Sequence, residues 1–150
     1  MPLAYTSVDS GRTWTLSSSF SLPGSQPEGL LNAVTCISNK CIAVGESFQG
    51  GFVNTLPLAY TSTDNGASWT MTSPLPLPSG QTEGILTTVT CTGNLCYAAG
   101  LSSQAGLTNQ LPLVYLSNDG GINWVLSNPL VLPVGQTQGQ LTGGAYGKGF

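Results

Sequence analysis

The chain repeats itself. Pro2-Leu3-Ala4-Tyr5-Thr6-Ser7 returns as Pro57-Leu58-Ala59-Tyr60-Thr61-Ser62 and again as Pro112-Leu113-Val114-Tyr115-Leu116-Ser117, 55 residues apart both times with no gap. Between residues 2–56 and 57–111, 29 of 55 positions are identical. The third copy starts at Pro112 and departs from the pattern at Gly143-Gly144-Ala145-Tyr146. A repeat of this length is one supersecondary unit that cannot bury its apolar face alone, so neighbouring copies must stack to make a shared core.

Turn residues divide each period into four short runs rich in Val, Thr, Tyr and Trp, which read as strands. They are A (about 30–36, 85–91, 140–146), B (41–45, 96–100), C (3–7, 57–62, 112–117) and D (13–16, 68–72, 123–126). No segment carries helical apolar spacing over eleven residues. The expectation is an all-β fold in which each 55-residue repeat is a β-propeller blade of four antiparallel strands. The 150 residues then make about 2.7 blades. They divide into a half blade (1–17, strands C and D), a blade (30–72), a second blade (85–127) and the start of a further one (140–150). Closed propellers take four to eight blades. Other chains would complete a ring or fibre, or the chain is a fragment of a longer propeller.

Charge narrows the chemistry. Only nine residues are charged, the three basic ones being Arg12, Lys40 and Lys148, and there is no histidine; about a quarter is usual. A histidine-based nucleophile system or metal site is therefore excluded. Three scattered cations in a chain of net charge −3 cannot neutralise a nucleic-acid backbone. Twenty Gly and ten Pro point to many turns rather than disorder, because aromatic and aliphatic residues recur throughout. No apolar run approaches the ~18 residues of a membrane span, so no membrane insertion is expected. Met1-Pro2-Leu3-Ala4-Tyr5 lacks the basic and apolar regions of a signal peptide, which suggests a mature, excised or trimmed product.

Each C-to-D turn carries Ser-x-Asp-x-Gly-x-x-Trp: Ser7, Asp9, Gly11, Trp14; Ser62, Asp64, Gly66, Trp69; Ser117, Asp119, Gly121, Trp124. The Asp can accept from nearby backbone N–H groups, Gly supplies a positive φ, and Trp returns as an apolar anchor. The pattern resembles the Asp box of the sialidase-like, BNR-repeat β-propellers. That resemblance implies structural turns placed away from any active face. Sialidases of this kind use three arginines, a tyrosine–glutamate nucleophile and an acidic proton donor. This chain has one arginine, Arg12, inside an Asp-box turn. Glycosidases need two carboxylates flanking one bond. Apart from the Asp boxes only Glu28, Glu46 and Glu83 remain, and Glu28 and Glu83 are one repeat position seen on two blades. No enzymatic activity is expected, with a glycoside hydrolase kept as the third reading.

Cys36 and Cys41 recur as Cys91 and Cys96 across the A–B turn. Cysteines flanking a four-residue hairpin loop can face each other at bridging distance. Two local disulfides, Cys36–Cys41 and Cys91–Cys96, are favoured over free thiols or a four-cysteine zinc site. They would place the chain outside the cell, at the cell surface or in a periplasm. No cofactor or metal is expected.

Binding residues concentrate on long loops. The B–C segment (46–54, 101–109) and the D–A element Pro-x-x-Gln-x-(Glu/Gln)-Gly read as such loops. The candidate binding residues are Gln26, Glu28, Gln81, Glu83, Gln136 and Gln138 with Phe48 and Phe52, suited to a neutral glycan or a peptide backbone. The competing role for the glutamines is to hydrogen-bond the beginning of strand A in every blade. The leading expectation is a non-catalytic extracellular module for binding or scaffolding. The alternative is self-assembly, residues 140–150 of one chain lying beside residues 2–16 of another, since the terminal half-blades have open edges.

Overall fold

The computed structural model describes residues 1–145. Its regular elements are strands β1 (Tyr5–Thr6), β2 (Thr15–Leu16), β3 (Glu28–Ile37), β4 (Lys40–Gln49), β5 (Val53–Ser62), β6 (Thr70–Met71), β7 (Glu83–Thr92), β8 (Leu95–Gln104), β9 (Thr108–Ser117) and β10 (Val125–Leu126). They form a two-stranded hairpin, β1-β2, and two four-stranded antiparallel meanders, β3-β4-β5-β6 and β7-β8-β9-β10. The all-β class and the four-strand unit expected from the repeat are both present. No sheet closes on itself among the described residues.

Three boundaries differ from the sequence expectation. Segments 46–54 and 101–109 are not long loops: β4 and β5 run on to pair Gln49 with Val53, and β8 and β9 pair Gln104 with Thr108. The hairpins close through positive φ at Gly51, Phe52 and Asn54 and at Gly106, Leu107 and Asn109, a conformation that Phe and Leu disfavour. The D strands shrink to two residues each. The third strand A, expected at 140–146, is not a strand over 140–145, and residue 146 lies outside the described residues. Segment 139–141 nonetheless runs alongside the second meander. The Gly139 and Leu141 N–H groups donate to the Gln110 and Gly100 carbonyls at 2.9 and 3.1 Å.

Each first hairpin carries a β-bulge, between Leu31 and Ala33 and between Leu86 and Thr88. A glycine faces each one: a Cβ on Gly45 would lie 1.9 Å from the Leu30 carbonyl oxygen, and on Gly100 equally close to that of Ile85. The bulge thus brings backbone where a side chain would stand.

The main core lies between the two meanders. It joins Ile42, Val44 and Ala59 to Leu86, Val89, Ala98, Leu113, Tyr115 and Trp124. A second cluster, Phe20, Leu58 and Tyr60, is closed by Leu22, Trp69 and Met71. Here the connector leaving β2 crosses the first meander.

Candidate functional site

The three Asp boxes are self-contained turns. In the second, Ser62 Oγ donates to Asp64 Oδ1 at 2.7 Å and accepts from Gly66 N–H at 2.8 Å, while Ser68 donates from its N–H and Oγ to the two Asp64 oxygens. Thr13 and Asn123 fill the Ser68 place in the other two copies. These donors hold the carboxyls of Asp9, Asp64 and Asp119 down at about 2, the residue four positions on contributing most. The second and third turns also abut the preceding sheet: Gly66 leaves no slack against Thr6, nor Gly121 against Ile42.

The opposite end of the strands holds the glutamine and glutamate positions. Pro23, Pro78 and Pro133 each begin a turn closed by the N–H of Gln26, Gln81 or Gln136 on the proline carbonyl. Gln26 is buried, and its Nε2 donates to the Asn54 carbonyl at 2.9 Å. The Asn54 N–H in turn donates to Glu83 Oε1 at 3.1 Å, and the Leu107 N–H to Glu83 Oε2 at 3.2 Å. Asn54 therefore joins Gln26 of its own repeat to Glu83 of the next. One repeat on, Gln138 accepts from the N–H of Gln110, the residue after the Asn54 equivalent Asn109, at 3.4 Å.

Of the remaining candidates, Glu28 lies directly across the β3–β4 ladder from Phe48. Glu28 is exposed, Gln81 is half-buried, and Gln136 and Gln138 are exposed. Phe48 is buried, with exposed Phe52 stacked on it at 4.3 Å. Sequence reasoning missed a further amide pair. Asn54 Nδ2 donates to Gln49 Oε1, whose own Nε2 reaches the Ser25 carbonyl, and Asn109, Gln104 and Gly80 repeat the arrangement. The identity of Gln and Asn at these positions in both copies was the available signal. Tyr60 and Tyr115 were missed as well. Their hydroxyls donate to the Ser21 and Pro76 carbonyls, and burial pushes the Tyr60 phenol up to about 12 and raises that of Tyr115.

Glu46 is sealed between the meanders. Asn32 Nδ2 donates to Glu46 Oε2 and to the Leu86 carbonyl. Desolvation raises the Glu46 carboxyl, and the Asn32 bond opposes part of that rise. In the next repeat Leu101 replaces Glu46 and Thr87 replaces Asn32, with Thr87 Oγ1 donating to the Leu141 carbonyl at 2.6 Å.

On the Asp-box side a groove of about 280 Å³ opens between the meanders. Ile37, Ile42 and the Cys91–Cys96 bridge form its apolar floor, with Asn39, Lys40 and Asn94 among its polar lining. Both expected disulfides are formed, joining directly opposed residues with Cα atoms 4.1 Å apart, and the structure holds no free cysteine among the described residues. The free-thiol and zinc alternatives are thereby set aside. Among the described residues no group of three His, Cys, Asp or Glu side chains converges to hold a metal ion. Among the described residues no helix is long and apolar enough to cross a membrane.

No curated protein and no solved structure matches the chain. The family model described as BNR/Asp-box repeat matches residues 60–71, which span the second Asp box from Tyr60 to Met71. The chain therefore carries the BNR/Asp-box repeat.

Proposed function

We propose that the chain is a non-catalytic, extracellular Asp-box module whose meanders stack as β-propeller blades, and whose groove between them binds a neutral glycan or a peptide backbone. The observation that carries this reading is the employment of the acids. Three aspartates hold their own turns, Glu83 holds two backbone N–H groups, and Glu46 is sealed against Asn32. That leaves Glu28, exposed and without such a bond, whereas glycoside cleavage uses two carboxylates acting on one bond. An apolar floor beside amide groups suits the faces and hydroxyls of a sugar or an extended peptide. The two disulfides support an oxidising compartment.

A neutral-glycan array and a peptide array, each probed with the intact chain, test the binding. Retention that Asn94→Ala abolishes is expected, and retention by neither array would remove the proposed ligand classes. Turnover of fluorogenic glycosides that Glu28→Gln abolishes would overturn the non-catalytic assignment.

A further inference from the structure

We propose that the chain associates head to tail, the connector 127–133 of one copy seating on Tyr5 and Trp14 of a second copy.

The contact is made twice inside the molecule. The connector leaving β2 lays Phe20 edge-on to Tyr60, with ring centroids 4.9 Å apart, and stacks it on Trp69 at 5.7 Å. The next residue, Ser21, accepts the Tyr60 hydroxyl at 2.6 Å. One repeat on, Leu75 and Leu77 pack against the cluster containing Tyr115 and Trp124, and the Pro76 carbonyl accepts the Tyr115 hydroxyl at 2.9 Å. A connector thus always lands on the Tyr and Trp of the repeat that follows it.

Two exposed surfaces present the halves of a third such contact. Tyr5 and Trp14 occupy the places of Tyr60 and Trp69, and of Tyr115 and Trp124. Yet they are 54% and 62% exposed, where Tyr60 is fully buried and Trp124 only 6% exposed. Leu130 stands where Phe20 and Leu75 stand, 55 residues apart in series, and is 46% exposed, followed by exposed Val131. The carbonyl of Val131 corresponds to those of Ser21 and Pro76 and would accept the Tyr5 hydroxyl. No charge lies in 127–138 to oppose the approach. Exposed aromatic and aliphatic side chains of this kind mark an interaction surface. Because the partners differ at the two ends, the contact is heterologous and repeats into a ring or a filament. It stands apart from the proposed groove and survives the failure of every ligand there.

Light scattering on the intact chain and two variants tests it. The unmodified chain should exceed 15.4 kDa increasingly with concentration, while Trp14→Ala and Leu130→Asp alone each stay at the monomer mass. Each variant keeps one intact end, so mixing them should give a one-to-one dimer that cannot grow. Tyr5→Phe keeps the ring and loses only one hydrogen bond, so it should weaken association about five-fold. Both large changes fall on exposed side chains, and unchanged far-ultraviolet dichroism will verify that the variants fold. An unmodified chain that stays monomeric at every concentration overturns the proposal. So do variants that associate as the parent does, or a mixture that fails to pair.

Discussion

Asp64 shows how much one side chain does in this fold. Its two oxygens collect the Ser62 hydroxyl and both donors of Ser68, closing a turn that Gly66 completes with a φ of 83°. Because Asp9, Asp64 and Asp119 are held at about 2 against an ordinary 3.8, the folded state binds fewer protons than the unfolded chain between those values. Stability from the three turns is therefore complete above 3.8 and lost as the pH falls towards 2. A thermal melting series across that range should show the decline. Glu46 has the opposite sign. Its carboxyl is raised by burial, so the charged form opposes folding at neutral pH and the penalty disappears on acidification. Glu46→Gln should therefore melt higher than the parent at pH 7, with the advantage vanishing once both are measured below the ordinary glutamate value. The Asp boxes were legible in the sequence because their partners lie within four residues. The Glu46–Asn32 pair was not, since it depends on a bulge that turns Asn32 towards a strand fourteen residues away.

At the scale of the element, the strands follow from alternation and turn chemistry, but their lengths do not. Glu46-Ser47-Phe48-Gln49 contains too many polar residues to read as a buried strand. It becomes one because β3 and β5 flank it and its Ser and Glu side chains meet neighbouring chain rather than water. The bulges supply a sharp test. Gly45→Ala and Gly100→Ala each drive a methyl into a carbonyl oxygen, and each should cost ~3 kcal/mol or more, the upper range for overpacking, in denaturant titration. The connector clamp supplies a gentler one. Tyr60→Phe and Tyr115→Phe each lose one hydrogen bond and should cost ~1 kcal/mol of stability. Tyr5→Phe, at an exposed position with no connector above it, should leave the melting temperature of the dilute chain unchanged.

For the whole molecule, the decisive comparison is between Glu28 and Glu83, one repeat position in two settings. Glu83→Ala removes the acceptor of two backbone N–H groups and should destabilise by ~3 kcal/mol. Glu28→Ala removes an exposed side chain and should be silent; parallel urea titrations of the two variants read the difference. The period, the Asp boxes, the paired cysteines and the all-β character were determined by the sequence alone. Each rests on hydrogen bonds or covalent bonds between near neighbours in the chain, and the repeat prints each of them more than once. Which copy of a residue is buried was decided only by the tertiary structure. Tyr5, Tyr60 and Tyr115 carry the same motif, and Glu28 and Glu83 the same position. Burial, however, is set by the repeat stacked alongside, and a residue's own sequence holds no record of whether that neighbour is there.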